Sequence, residues 1–484
     1  MSKELKRVSI VMLLMFFALF ASTSVIQVFQ ADNLSANNIN SRTLYDSFSA
    51  QRGSILVDGE EIANSIPVDD NFSYLRVYED GKLYSPVTGY FTLNQGNTGV
   101  EGALNDYLSG TANEQFLDQV GSIFSGQDPK GASVALTIDG DVQKAAYDAL
   151  GDNSGSVVAY EPKTGKILAL VSKASFDPNK LAVHKGSDII AEYNRLTEAK
   201  SQPLVNRAIA GNLYHPGSVF KLVVTAAALE SGKYTPESSF PNPQTLTLPQ
   251  STAVIRNAGG GNCDGASEAS IATALRLSCN IPFAQLGLEL GHDAIAEQAN
   301  EFGFGQEIEI PMKATPSVYP EVASDAEQML SSFGQFDDRV TPLQMAMVSG
   351  AIANGGVLMQ PTVVDSIIAP DLSIVQDFEP KIFSTPMSPQ TAATMTEMMV
   401  NGVSNGAASN ATISGVDVAG KTGTAENGEG APYTLWFTGF APAEDPQVAI
   451  AVVVENGGGQ GQSAFGNTIA APIAKKVLEA VLNK

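Results

Sequence analysis

The stretch "YHPGSVFKLVVTAAALE", residues 214–230, decides how this chain is read. After the Pro216-Gly217 break it reads as a helix that is apolar almost all the way round, the pattern of a helix enclosed by its own domain. Ser218 and Lys221 nevertheless stand in its first turn on one face, and Thr225 continues that stripe. A lysine is almost never fully buried without a partner, so the pair is either turned to solvent or is a nucleophile beside its base. The second reading has a mechanism. A helix N-terminus offers N–H groups and a positive dipole end to a developing anion, and a desolvated lysine loses its proton readily enough to accept one from serine.

Composition narrows the function classes. The 484 residues suffice for roughly two or three domains, and 44% hydrophobic content suits a folded globular chain. With 51 acidic against 28 basic residues the net charge is -23, which excludes sequence-independent affinity for nucleic acid, a partner that demands a basic surface. Three histidines and two cysteines, with no C-x-x-C and no H-E-x-x-H, leave little material for a metal site. Neither a metal nor a cofactor is expected.

The N-terminus sets the compartment. In "MSKELKRVSIVMLLMFFALFASTSVIQVFQADN", Lys3, Lys6 and Arg7 precede an apolar run over residues 8–29, close to the roughly 20 residues that a spanning helix needs. A signal peptide has a shorter apolar core and a small-residue cleavage site. Ala21–Thr23 is a weak candidate for one, but the run continues past it. The expectation is an uncleaved transmembrane anchor at 8–29, with the tail 1–7 cytoplasmic by the positive-inside rule and the rest of the chain outside.

Beyond the anchor, "ADNLSANNIN" (31–40) reads as a polar linker. A small module follows, with strand-like runs "FSYLRVY" and "KLYSPVTGYFTL" and a helical "EGALNDYLSG". "SGQDPKGAS" punctuates a boundary near residue 130, so linker and module occupy 30–130 and a larger domain 131–484. That domain opens with a strand, a helix over about 141–150, and the hairpin "SGSVVAYEPKTGKILALVS" with its turn at 162–165. A mostly helical middle runs to about residue 357, and the end reads strand, strand, helix. Early and late strands separated by helices predict an α/β fold of the α+β type, one antiparallel sheet with helices on its faces.

Three short motifs line up in order. Ser218-Val219-Phe220-Lys221 is a weak signal alone, since S-x-x-K arises by chance on the order of once or twice in a chain this long. Ser278-Cys279-Asn280 lies in an apolar helical stretch, where two polar side chains need partners. Lys-Thr-Gly occurs twice. The copy at 163–165 follows a proline in a hairpin turn and is ordinary turn chemistry, whereas Lys421-Thr422-Gly423, in "DVAGKTGTAENG", leads toward the strand around Trp436. The two cysteines, Cys263 and Cys279, fall on the exterior side, so they are read as a disulfide. A bridge of that loop length stabilises by roughly 3 kcal/mol. A small buried Cys279 with a surface thiol at Cys263 is the alternative.

The ordered set resembles the motifs of penicillin-binding proteins and serine β-lactamases. "NRAIAGNLYHPGSVFK", "SSFGQF", "VTPLQMAMVSGAIANGG", "GKTGTAE" and "LWFTGFAP" are similar to the transpeptidase domain of class B penicillin-binding proteins, and "QRGSILVDGEEIA" to that class's N-terminal opening. The compact layout is most similar to the short penicillin-binding protein A branch of actinobacteria. The resemblance implies a peptidoglycan D,D-transpeptidase. Ser218 would attack the penultimate D-Ala carbonyl of a stem peptide, and Lys221 would take the proton. Ser278 would relay a proton to the leaving group, with Asn280 holding donor peptide and Lys221 in register. Lys421 would add positive charge near Ser278, Thr422 and Thr424 would bind the terminal carboxylate beside Gly423, and the N–H groups of Ser218 and Thr424 would form the oxyanion hole.

β-Lactams would acylate the same serine. The N-terminal module is too short for a glycosyltransferase, so the resemblance implies a membrane glycan polymerase of the SEDS type as partner. Two other classes stay open: a D,D-carboxypeptidase or β-lactam hydrolase using the same residues, and a penicillin-binding sensor or scaffold without turnover. The anchor and the "RGSILVDG" module count against a soluble hydrolase, and intact motifs count against a sensor. His215, near Ser218, is read as loop packing rather than a triad histidine.

Overall fold

The structure, a computed structural model, describes residues 3–26, 48, 50–112, 130–211 and 213–484. Helix α1, Lys3–Ser24, is exposed along its length and long and apolar enough over Leu5–Ser24 to cross a membrane. Residues 27–29 of the expected span and the linker 31–40 lie outside the described residues.

The N-terminal module pairs β1 (Ile55–Val57), β2 (Glu60–Pro67) and β3 (Tyr74–Tyr78) antiparallel. The run "KLYSPVTGYFTL", expected as strand, instead forms α2 (Gly81–Thr88). Its β-prone residues are overridden by packing, because Tyr84 and Val87 sit three apart on one helical face and enter the core with Ile55 and Val57. Pro86, with no N–H for a ladder, was the local signal against a central strand.

Next come β4 (Ser133–Leu136), α3 (Gly140–Leu150) and the antiparallel hairpin β5 (Gly155–Tyr160) and β6 (Ile167–Lys173). The helical middle contains α4 (Lys221–Glu230), α5 (Ile271–Leu277), α6 (Ile281–Leu290) and α7 (Pro342–Ala353). Strands β7 (Val364–Ile368) and β8 (Ile374–Asp377) then return to the first sheet, whose order is β8-β7-β4-β1-β2-β3. A sheet therefore runs across the join expected near residue 130. The chain ends with α8 (Pro389–Ser404), β9 (Ala419–Ala425), β10 (Thr434–Ala441), β11 (Val448–Val454) and α9 (Gly466–Leu482).

The second sheet, ordered β9-β10-β11-β5-β6, is antiparallel throughout and covered on both faces. Helix α7 packs on one side, α9 and α3 on the other. Strand alternation divides each run between two cores: Val158, Tyr160, Trp436 and Val453 face one, and Val157, Ala159, Phe437 and Val452 face the other. That is why "VAIAVVV" is apolar at every position rather than every second one. Strand β9 is the edge of this sheet, and it packs against α8, α9 and residues 217–219.

Candidate active site

Ser218 does not begin the helix itself. It sits in a single 3-10 turn, Gly217–Val219, and α4 starts at Lys221. Gly217 has φ +55, a conformation glycine adopts without strain, and its N–H donates to Gly334 O at 2.8 Å. The turn lifts Ser218 to the mouth of a cleft of about 640 Å³, while Lys221 opens a helix buried from Lys221 to Ala228.

The second motif also corrects the sequence reading. Ser278-Cys279-Asn280 is not inside one helix but is the break between α5 and α6. Ser278 caps α5 in the left-handed region at φ +64, strain of about 1–3 kcal/mol for a residue with a side chain. The kink turns its hydroxyl toward β9, and Asn280 begins α6. Cys263 and Cys279 are joined as a disulfide that ties this break to the preceding loop.

The third motif lies on edge strand β9. Gly423 lets that strand pass over the Ser218 turn, since a Cβ there would meet Pro216 O at 2.9 Å and Trp436 Cβ at 3.1 Å. The Thr422 hydroxyl donates to Ala407 O at 2.9 Å. Thr424 Oγ1 accepts the Gly466 N–H at 3.1 Å, which leaves its own hydrogen free for a ligand in the cleft.

The three motifs meet at two buried lysine amines. Lys221 Nζ lies 3.0 Å from Ser218 Oγ and donates to Ser278 O at 2.9 Å and Asn280 Oδ1 at 2.8 Å. Lys421 Nζ donates to Ser278 Oγ and to Thr422 O, each at 2.7 Å. Lys221 is 0% exposed and Lys421 3% exposed, and among the described residues neither forms an ion pair. Burial, then the neighbouring Lys421 charge, holds the Lys221 amine well below the usual lysine value. Burial alone brings Lys421 down to about 7. A neutral Lys221 would spend its two hydrogens on the carbonyl of Ser278 and the amide oxygen of Asn280, neither of which can donate. Its lone pair would then face Ser218 Oγ.

The remaining candidates fall elsewhere. Lys163 is exposed on the β5–β6 turn and pairs with Asp445 at 2.6 Å, away from the motifs. His215 Nδ1 accepts from Arg339 at 2.7 Å, and burial followed by the Arg339 charge keeps its imidazole below its ordinary value. Sequence reasoning missed Phe283 and Phe333, whose rings lie 5.4 and 6.0 Å from Lys221 Nζ. It also missed Asn257, Tyr433 and Phe465 in the cleft wall. Phe333 lies within "SSFGQF", but nothing local marked its ring as a neighbour of Lys221, and an apolar ring in α6 or rings and asparagines in loops are ordinary there.

Comparison with known proteins decides what this geometry belongs to. Residues 155–479 match the family described as penicillin binding protein transpeptidase domain. The chain belongs to that family. Residues 52–134 match the penicillin binding protein A dimerisation domain. The chain is 40% identical over 493 aligned positions to peptidoglycan D,D-transpeptidase PbpA of Mycolicibacterium smegmatis, covering 100% of both. To the PbpA of Mycobacterium tuberculosis it is 40% identical over 491 positions, covering 100% of this chain and 99% of the relative. Penicillin-binding protein A from M. tuberculosis, solved as a ceftriaxone acyl-enzyme, superposes with TM-score 0.87 at 39% identity, over 90% of this chain and 100% of that one. The penicillin G acyl-enzyme of the same protein gives 0.85 at 39% identity, with the same coverage.

Proposed function

We propose that Ser218 is the residue through which this peptidoglycan D,D-transpeptidase carries the acyl group. Its Oγ attacks the carbonyl of the penultimate D-Ala of a stem peptide as Lys221 Nζ takes the hydroxyl proton. The peptide bond breaks, an ester to Ser218 forms, and the last D-Ala leaves after protonation through Ser278, oriented by Lys421. The amine of a neighbouring stem then attacks the ester, giving the cross-link and returning the proton to Ser218. Thr424 receives the donor's terminal carboxylate, with the Lys421 charge beside it. The backbone N–H groups of Ser218 and Thr424 receive the oxyanion.

The observation that carries this reading is the buried Lys221 amine, 3.0 Å from Ser218 Oγ with no carboxylate among the described residues to keep it protonated. A labelled penicillin tests it: one adduct is expected, on Ser218, and Ser218→Ala should abolish labelling in a folded protein. An adduct mapped to Ser278 would overturn the assignment.

The membrane topology belongs to the same proposal. Lys3, Lys6 and Arg7 precede the span Leu5–Ser24 or lie at its start, which supports a cytoplasmic N-terminus and an exterior catalytic domain. Digestion of intact cells with an external protease should remove the domain and spare residues 1–7. The two matched segments are described as a transpeptidase domain and a dimerisation domain, so the strands to be cross-linked are proposed to come from a membrane polymerase of the SEDS type, testable by co-purification.

A further inference from the structure

Helix α6 is capped by a side chain from elsewhere. Asn280 holds its N-cap position, where an asparagine would ordinarily accept an N–H of the first turn. Its side chain makes no such bond. It accepts from Lys221 Nζ at 2.8 Å and donates from Nδ2 to Arg256 O at 2.9 Å. The cap is supplied by Asn257, from the loop that walls the cleft: Asn257 Oδ1 accepts the N–H of Asn280 at 2.9 Å and of Ile281 at 3.0 Å.

The other end of that amide is equally committed. Asn257 Nδ2 donates to Asn242 Oδ1 at 3.0 Å and to Gly261 O at 3.2 Å. Asn242 in turn donates to Cys263 O at 2.7 Å and Ala266 O at 3.0 Å. Both side chains are buried, Asn242 at 0% and Asn257 at 3% exposure. All the hydrogen-bonding capacity of the Asn257 amide is used within the protein, two acceptances and two donations, so none is left for substrate. The relay ends at Cys263, whose disulfide to Cys279 returns to the same helix break.

We infer that Asn257 is a positioning residue of the transpeptidase reaction, capping α6 so that the Asn280 side chain is free to hold the Lys221 amine against Ser218. The inference rests on the reading of Asn280 and Lys221 given above, and it assigns a task in that reaction to a loop outside the three motifs. Losing the cap lets the Asn280 backbone shift, and a small misplacement of a group beside the reacting atoms is enough to slow the chemical step strongly.

The test uses the full-length protein in detergent and penicillin G, separating the limiting acylation rate from the affinity of the preceding complex. Asn257→Ala should lower the limiting rate on the order of 10- to 100-fold with little change in affinity. Asn280→Ala should lower it at least as far, and Asn257→Ala added to Asn280→Ala should have no further effect. Acylation amplitude reports the folded fraction and the rate constant reports geometry, so partial unfolding is distinguishable from misplacement. If Asn257→Ala does not fold, Asn257→Ser keeps a cap acceptor, shorter than the amide, and a reduced rate that disappears as a separate effect in the Asn280→Ala background supports the same conclusion. Unchanged rates in the Asn257 variants, or losses that add to Asn280→Ala, would overturn the inference. A normal rate in Asn280→Ala alone would instead overturn the underlying reading of Asn280.

Discussion

Two clusters of buried charge in this chain are built on opposite plans. In the N-terminal module the Glu101 carboxylate lies between two guanidiniums, 2.6 Å from Arg52 Nε and 2.7 Å from Arg76 Nε, and accepts from the Tyr78 hydroxyl at 3.0 Å. Beside the cleft Lys221 and Lys421 are as deeply buried, but their hydrogen-bond partners among the described residues are only hydroxyls and carbonyls. Burial alone would raise Glu101, yet Arg76 and Arg52 outweigh it and hold the carboxyl below its ordinary value. At the lysines nothing opposes burial, and both amines move toward neutrality. A buried charge that is paired fixes structure. One left unpaired is held close to losing its proton, where a reaction can use it.

The largest effect expected from this contrast is at the base. Lys221→Ala should slow penicillin acylation by about 10²- to 10⁴-fold, the range for loss of a general base, and thermal unfolding should show no matching loss, because a buried unpaired amine goes with it. A variant that acylates at a near-normal rate would mean that another base serves Ser218.

The paired cluster should answer in the opposite currency. Glu101→Ala strands two buried guanidiniums and should destabilise by about 3–5 kcal/mol, while the acylation rate of the folded fraction stays normal. Denaturant unfolding with acylation on the same samples separates the two. A slowed rate at full folding would break the division between structural and chemical charge.

Lys421 should show both sides at once. Its amine sits at about 7 in the folded state against the ordinary lysine value near 10.5, so between those values the unfolded chain binds the extra proton. Stability therefore rises with pH across that window, and the penalty of burying the charge is fully present below about 7. Lys421→Met should slow acylation, yet raise the melting temperature most at low pH, with the gain shrinking as pH rises. A gain independent of pH would show that packing, not charge, sets the difference.

The smallest effect belongs to the other Lys-Thr-Gly. Lys163 and Asp445 are exposed, 58% and 70%, so Lys163→Ala removes a surface pair worth about 0–1 kcal/mol. Acylation should stay within a few-fold. Equal losses from Lys163→Ala and Lys421→Ala would erase the distinction between the two copies.

What could be read from the sequence follows the range of the interactions. Ser218 and Lys221 were legible because helical geometry alone brings residues three apart to one face. The sheet's inner strands were legible because their residues face two cores and are largely apolar. Ser278 and Asn280 could be named, but the break that aims them could not, since it depends on a left-handed serine within an apolar run. Strands β7 and β8 join a sheet begun by Ile55 across most of the chain, a pairing no local pattern records. Helix α2 was misread because Tyr84 and Val87 serve a helix face as well as a strand. Arg52 stood in a recognisable opening, but its partner Glu101 carried no mark, and neither did Asn257.

The pH dependence of the limiting rate at which penicillin G acylates Ser218 separates a Lys221 base from any other. Among the described residues Lys221 faces one charged group, Lys421, so the ascending limb reports the Lys221 amine as Lys421 leaves it. A Lys221 base puts the plateau of that limb well below 10.5 in the wild-type protein and removes the limb in Lys221→Ala. A rate that keeps climbing through the ordinary lysine range, or a limb that survives in Lys221→Ala, would contradict it.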